Sequence, residues 1–200
     1  MSVSLSVWEI DLNFLSRMHG AIRDPRANEI RVGLVRALDQ RDLDDFFLDE
    51  IASGRCPHAA EALDDIMKGA IPSVGFGPMY AYVCETIVEY WGDALPGNSF
   101  APSGTRLPDE VDAALAAMGV ASFRVSALTS GTLPIAIPPC DDFPGFGHMT
   151  NRQCRDAWGE LQRVRYGGND PTVSAAIEDI RGWLRTVTRR KSTGLIGFFH

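Results

Sequence analysis

Strand-like apolar patterns mark both ends of the chain. Val3, Leu5 and Val7 alternate with serines, which is the period-2 pattern of a strand with one buried face. Near the other end, Gly194 interrupts a helical stretch and an apolar run covers residues 195–199. A chain that closes on an apolar strand is expected to pair that strand inside a sheet.

Apolar residues at helical spacing fill most of the sequence between these strands. Capping residues and closing glycines set the limits of several segments, and Thr150 with Gln153 forms a capping box. The predicted helices run from Asp11 to Gly20, from Asn28 through Leu38, from Leu43 through Phe46, Phe47 and Ile51 to Gly54, over 57–68 and 78–91, from Pro108 to Gly119, from Thr150 through Leu161, and from Asp170 through Val187.

Two further strands are predicted in the middle of the chain. Residues 123–127 alternate between apolar and polar side chains, and residues 133–137 do so with Pro134 placing the strand at a sheet edge. Strands at both ends and in the middle, without βαβ alternation, favour an α+β fold. We expect a single helix-rich domain over residues 1–200, with a small antiparallel or mixed sheet that includes the N- and C-terminal strands.

Composition narrows the class of protein. The chain has 200 residues, 45% of them hydrophobic and 22% charged, which is the balance of an ordinary globular domain. No apolar run approaches the roughly 18 residues of a membrane span, and the N-terminus lacks the basic region of a signal peptide. Four cysteines without a CxxC pair favour reduced thiols. We therefore expect a cytoplasmic protein with no membrane association.

The net charge of −7 is unevenly distributed. Residues 1–150 carry 21 acidic and 10 basic side chains, whereas residues 151–200 carry 5 acidic and 9 basic ones. The acidic excess is dense around Asp42, Asp45 and Asp49. Such a surface repels nucleic-acid phosphates and attracts basic proteins, so we expect a basic protein partner and no nucleic acid. A solvated helical face without a partner is the alternative.

The segment 138–150 combines turn formers with chemically active side chains. Its candidate binding residues are Asp141, Asp142, Phe143, Phe146 and His148. An alternative hypothesis makes it an active site, with Cys140 as nucleophile and with His148 and Asp142 as base and orienting group. Neither flank of Cys140 offers a helix N-terminus that would lower the pKa of its thiol. A rigid turn into the helix that begins after Thr150 is the structural interpretation.

No metal site or cofactor is predicted. Cys140, His148 and Cys154 could join Cys56 or His58 around a zinc ion, but their spacing does not match the short ligand pairs of structural zinc sites. The paired aspartates lack the alternating ligands and central glycine of a calcium loop.

Four segments together resemble an uncharacterised family of bacterial proteins of about this length. They are Leu5–Leu12 (LSVWEIDL), Tyr80–Glu85 (YAYVCE), Asp141–Thr150 (DDFPGFGHMT) and Gly194–Phe199 (GLIGFF). The second half is also similar to the YfbM-like group, in which a Gly-aromatic-Gly loop leads to a Thr-capped helix and a closing apolar strand. Here the chain ends in His200, where an aromatic residue would be expected. Members of such families occur beside toxin genes, which implies a toxin-neutralising role.

Two functions follow as hypotheses, beside the possibility of a scaffold protein whose oligomer interface is the 138–150 loop. The first is a non-enzymatic cytosolic binding protein, in its specific form an immunity-type protein that neutralises a toxin through a surface patch. The motivation is the lack of a complete catalytic set, the acidic first three-quarters and the resemblance. The second is a small-molecule-binding protein or hydrolase that uses the 138–150 loop.

Overall fold

A computed structural model describes residues 2–24, 26–100, 103–141 and 143–200, with only the backbone of Ser2. The strands are β1 (Ser2–Val3), β2 (Leu5–Asp11), β3 (Asp93–Leu95), β4 (Ser103–Gly104), β5 (Gly145–Met149) and β6 (Thr193–Phe199). The α-helices are α1 (Leu12–Met18), α2 (Ala27–Asp39), α3 (Leu43–Phe46), α4 (Leu48–Ala52), α5 (Ala59–Lys68), α6 (Gly77–Trp91), α7 (Leu107–Ala117), α8 (Ser126–Thr129), α9 (Asn151–Leu161) and α10 (Pro171–Val187). The predicted α+β class is confirmed.

The chain divides into two compact units. The sheet unit comprises Met1–Leu12, Gly92–Leu133 and Gly145–His200, and the helical unit comprises Asn13–Trp91 and Pro134–Pro144. Whether the whole chain is a single domain stays a prediction. No helix in the described part of the chain is long and apolar enough to cross a membrane.

The sheet unit is built on an antiparallel four-stranded sheet in the order β3-β2-β6-β5. Its two central strands, β2 and β6, pair from Leu5 opposite Phe199 to Asp11 opposite Thr193. The predicted N- and C-terminal strands therefore pair directly, which confirms the expectation for both ends. One core of this unit includes Leu195 of β6 together with apolar side chains of α7, α9 and α10.

Two predicted caps fix the helices of the sheet unit. Thr150 and Gln153 form the capping box of α9, with the Thr150 amide donating to the Gln153 side-chain oxygen at 2.8 Å. The Asp170 carboxylate accepts hydrogen bonds from the amides of Thr172 and Val173 at the start of α10. Both helix starts were predicted, because each needs only a local side-chain pattern.

The helical unit packs α2 and α5 against α6. The predicted helix over 78–91 is observed as α6, and it is buried on most of its surface, including the charged residue Glu85. Leu34 of α2 and Leu63 of α5 are fully buried. Gly69 ends α5 in the left-handed conformation, at φ 69°, as a closing glycine does.

The predicted single helix from Leu43 through Ile51 is wrong. The chain forms two short helices, α3 and α4, that meet at Phe47, whose φ of −107° and ψ of 26° leave the helical region. Phe46, Phe47 and Leu48 are consecutive, so they cannot all face the core. Phe47 is buried, and its two neighbours face solvent.

The two predicted strands in the middle of the chain are also wrong. Residues 123–125 lead into α8 because the Asp112 carboxylate accepts hydrogen bonds from the amides of Val125 and Ser126, at 2.5 and 3.2 Å. These amides are then satisfied without a sheet partner. Residues 133–137 are likewise not a strand, and Pro134 has no amide hydrogen to donate to one.

Candidate functional site

The segment from Asp42 to Asp49 presents a cluster of exposed apolar and acidic side chains. Phe46 and Leu48 are 70% and 60% exposed, and Asp42, Asp45 and Asp49 are exposed beside them. We call these five residues the α3–α4 surface. The carboxylates of its three aspartates form no hydrogen bond or ion pair with any described residue. They are therefore available to a positively charged partner.

Arg41, immediately before this surface, ties it to α6. Its guanidinium contacts the buried Glu85 carboxylate at 2.7 Å and the Glu89 carboxylate at 3.1 Å. It also donates to the Thr86 hydroxyl, and its charge lies 5.8 Å from the centre of the Tyr82 ring. Because a buried charge is costly unless it is paired, Arg41 and Glu85 hold each other in place.

A cluster of aromatic side chains packs against Phe46 and supports the α3–α4 surface. The Phe47 ring lies 4.7 Å from the Phe46 ring, 5.9 Å from Tyr82 and 5.1 Å from Phe76. Tyr82 also contacts Phe46, at 6.3 Å. These edge-to-face and tilted arrangements are the favourable geometries for aromatic pairs. Phe46 is thus exposed to solvent on one side and in contact with two aromatic rings on the other.

Asp44 differs from its acidic neighbours because both of its oxygens are engaged. One contacts His58 Nδ1 at 2.8 Å, and the other accepts the Ala59 amide at 2.8 Å. The hydrogen bond to Asp44, together with its charge, raises the pKa of His58. The His58 amide donates to Glu61 at 3.0 Å. These contacts fix the start of α5 beside α3.

A small recess lies between these elements. It has a volume of about 170 Å³ and is lined by apolar side chains of α2 and α3, by Ala59 and Ala60, and by Asp39, Asp42, Asp44 and Asp45. Pockets for drug-sized ligands usually measure roughly 300–1,000 Å³. The volume of this recess is therefore enough for about one amino-acid side chain.

The first half of the predicted 138–150 loop belongs to the helical unit. Asp141 is exposed and Phe143 is 41% exposed, before a cis peptide bond to Pro144. Cys140 is half-buried and its thiol points to the Pro144 carbonyl, with 3.9 Å between the two heavy atoms. Asp142 lies outside the described residues.

The second half of that loop is strand β5 of the sheet unit, so the prediction of a loop over 145–149 is wrong. A side chain at Gly145 or Gly147 would overlap backbone atoms of α8, and a Cβ at Gly147 would lie 2.8 Å from the Ala127 carbonyl carbon. These glycines therefore allow α8 to pack tightly on the sheet. Phe146 between them is half-buried, opposite Phe198 in the strand pairing.

His148 has a defined structural partner. Its Nδ1 lies 2.5 Å from the Thr132 carbonyl oxygen, which can only accept, so Nδ1 carries the hydrogen. This contact orients the ring along the sheet unit. Cys140 and His148 belong to different units, and with Asp142 undescribed the alternative catalytic set stays a hypothesis.

Three of the four thiols are poor nucleophiles. Burial raises the pKa of Cys56, Cys84 and Cys154 to about 12 in each case, and the charges of Asp44 and Glu50 add to the effect at Cys56. Such groups are protonated at neutral pH. In the described chain no group of three His, Cys, Asp or Glu side chains is arranged to hold a metal ion.

Sequence reasoning found the three aspartates but missed the apolar half of the α3–α4 surface. The helical pattern includes Phe46 among its apolar positions and does not include Leu48. The run Phe46-Phe47-Leu48 between acidic residues was the available signal, because one helix face cannot bury three consecutive side chains. Tyr82 and Phe76, which support the surface, gave no signal because their contacts are tertiary.

Comparison with known proteins identifies the family and nothing more specific. A family model described as a domain of unknown function, DUF7691, matches residues 1–200, so the chain belongs to this family. No curated protein and no solved structure gives a significant match to the chain. The predicted uncharacterised family is thereby confirmed, while the bacterial origin and the likeness to the YfbM-like group stay predictions.

Proposed function

We propose that this member of the DUF7691 family is a non-enzymatic binding protein that docks a basic protein partner on the α3–α4 surface. The observation that carries the proposal is the exposure of Phe46 and Leu48 among three carboxylates that have no partner in the described chain. Apolar anchors within a charged rim are typical of protein interfaces.

The magnitudes favour binding over a purely solvated face. Fully burying a Phe or Leu side chain is worth roughly 1.5–3 kcal/mol each, so two anchors supply a useful part of an interface energy. The contacts of the Phe46 ring with Phe47 and Tyr82 restrict its rotamers, and the Arg41–Glu85 ion pair links the start of this segment to α6. Little side-chain entropy is then lost on binding, which raises affinity.

The negative net charge of the helical unit determines which class of partner it attracts. The helical unit carries 15 acidic and 8 basic side chains, so it holds a net charge of −7. A field of this sign accelerates encounter with a basic protein and opposes nucleic acid. In its specific form, the proposal is a cytoplasmic immunity-type protein that neutralises a basic toxin.

The test compares two charge reversals at exposed helical aspartates. Asp45→Lys alters the α3–α4 surface, whereas Asp156→Lys makes the same change on α9 of the sheet unit. The wild-type chain is used to purify its partner from the source organism at about 0.15 M salt, and affinities are then measured calorimetrically. We expect Asp45→Lys to weaken binding about tenfold and Asp156→Lys to leave it within about twofold. Equal effects of the two changes, or an acidic partner, would overturn the proposal.

A further inference from the structure

The α3–α4 surface alone is too small for a specific protein interface. It spans eight residues of sequence, from Asp42 to Asp49, whereas a stable interface uses roughly 20–30 residues and about 800 Å² on each partner. A docking surface built around Phe46 must therefore extend over neighbouring elements of the helical unit.

Aromatic side-chain contacts lead from Phe46 toward a second exposed apolar region. The Phe47 ring contacts Phe46 on one side and Phe76 on the other, at 4.7 and 5.1 Å. Phe76 belongs to the loop before α6, in which Val74 is 85% exposed. Val74 is two residues before Phe76, which belongs to the aromatic cluster that supports the α3–α4 surface.

The same loop lies against the segment that contains Asp141 and Phe143. A Cβ at Gly77 would overlap the Pro139 carbonyl oxygen and would lie 2.8 Å from the Pro138 carbonyl oxygen. At Gly75, a Cβ would be in ordinary contact with the Pro138 ring, at 3.6 Å. The backbone of 138–139 therefore packs directly on the residues that flank Phe76.

We infer that Val74, Asp141 and Phe143 form the second half of the docking surface, and that the basic partner contacts both halves at once. This inference rests on the proposed function and adds the residues that the partner contacts beyond the α3–α4 surface. Each half combines exposed apolar side chains with exposed carboxylate: Phe46 and Leu48 with three aspartates, and Val74 and Phe143 with Asp141. A partner with basic side chains around an elongated apolar strip is complementary to both.

The second half of the docking surface includes two of the candidate binding residues of the 138–150 segment. Asp141 and Phe143 are exposed, and they lie in the helical unit with Asp42, Asp45 and Asp49. The acidic segment and the first half of the 138–150 loop are about a hundred residues apart in sequence. Packing of 138–139 on Gly77 connects them through α6.

Site-directed photo-crosslinking tests this extent directly. A photoreactive benzoylphenylalanine is placed at position 46, 74 or 143, and at position 178 of the sheet unit as an exposed control, in cells of the source organism. Mass spectrometry then identifies the crosslinked protein. We expect one basic protein from the first three positions and not from position 178.

Each other result has a separate meaning. Crosslinks from position 46 but not from positions 74 and 143 would overturn the inference and leave the proposed function standing. Crosslinks from none of the three would overturn the proposed function itself.

Two matched glycine variants give an independent measurement with the partner so identified. Gly77→Ala displaces the 138–139 backbone, whereas Gly75→Ala adds a methyl group in the same loop at ordinary contact distance. We expect Gly77→Ala to weaken partner binding about tenfold and Gly75→Ala to change it less than about twofold. The surface variants Val74→Ser and Phe143→Ser remove exposed apolar side chains, and each should weaken binding about fivefold or more, with the stability of each variant measured alongside. Unchanged affinity in both serine variants would contradict the inference.

Discussion

The two units use their side chains in opposite ways. The sheet unit carries 11 acidic and 11 basic side chains, so its net charge is zero, and among its described residues no large hydrophobic side chain is exposed. The helical unit carries the whole net charge of −7. It also contains every large apolar side chain that is exposed in the described chain: Ile22, Val32, Phe46, Leu48, Val74, Tyr90 and Phe143.

This difference separates scaffold from candidate interface. Solvent-exposed apolar side chains contribute nothing to the core of their own unit, and grouped with uncompensated charge they indicate a contact surface. The sheet unit uses glycines such as Gly145 and Gly147 to bring backbones together, a packing role that Gly77 also has in the helical unit. Substitutions in the sheet unit should therefore affect stability, and substitutions on the α3–α4 surface should affect binding.

The largest effect is expected from Gly147→Ala in the sheet unit. A Cβ would overlap the Ala127 carbonyl oxygen and would lie 3.0 Å from the Leu128 Cα, so backbone rather than a flexible side chain must move. We expect a loss of about 3 kcal/mol in the free energy of unfolding, measured by denaturant titration. Gly104→Ala is the control, since a Cβ there meets no atom within 4 Å and should change stability by no more than about 0.5 kcal/mol. Equal stability of the two variants would contradict tight packing of α8 on β5.

Arg41→Ala should affect both stability and binding, because Arg41 links the α3–α4 surface to α6. Its removal leaves the Glu85 carboxylate buried without this partner, at an expected cost of about 2 kcal/mol. The double variant Arg41→Met with Glu85→Leu replaces the pair by apolar groups and should restore most of the stability. It should not restore partner affinity in full, because the contacts of Arg41 with Glu89, Thr86 and the Tyr82 ring beside the α3–α4 surface are also lost. Additive losses in the double variant would show that the ion pair is not the cause.

Phe46→Ala should reduce partner binding with little change in stability. Since Phe46 is mostly exposed, its truncation should change the free energy of unfolding by no more than about 0.5 kcal/mol. Loss of a central anchor should weaken partner binding by about 2 kcal/mol, or roughly 30-fold. Val32→Ala, at another exposed apolar residue of the helical unit, is the control and should leave affinity unchanged. A large stability loss in Phe46→Ala would instead place this ring in the core.

The smallest effect concerns the pH dependence of the α5 start. The pKa of His58 is raised in the folded state by the hydrogen bond to Asp44, so the pair stabilises the fold while His58 is protonated. That contribution is present below the ordinary His pKa of about 6.5 and is lost as pH rises through the raised value. His58→Asn keeps a capping residue but cannot titrate. The difference in Tm between wild type and variant should therefore shrink from about pH 5 to about pH 9. A difference that grows with pH would contradict a protonated His58.

The sequence was sufficient wherever a local pattern determines the structure. The caps at Thr150 and Asp170 and the paired terminal strands were predicted correctly, because side-chain spacing specifies them. The predicted strand at 123–127 does not form. The Asp112 carboxylate accepts the hydrogen bond that the backbone amide of this segment would donate to a neighbouring strand. Gly145 and Gly147 indicated a turn, whereas in the structure they allow α8 to pack closely on β5.

The candidate site was predictable only in its charged half. Asp42, Asp45 and Asp49 are visible as an acidic excess, but the exposure of Phe46 depends on the break at Phe47. The break depends on tertiary contacts, because Phe47 packs against Phe76 and Tyr82. Sequence periodicity cannot show which of three adjacent apolar residues enters the core.

Hydrogen exchange on the purified complex shows which unit the partner covers. The partner is the protein crosslinked from position 46, and exchange is followed across both units with and without it. We predict slowed exchange in residues 42–49 and 72–77, with the amides of β5 and α9 unchanged. Protection confined to β5, α9 or other parts of the sheet unit, with none in residues 42–49, would contradict the assignment of binding to the helical unit.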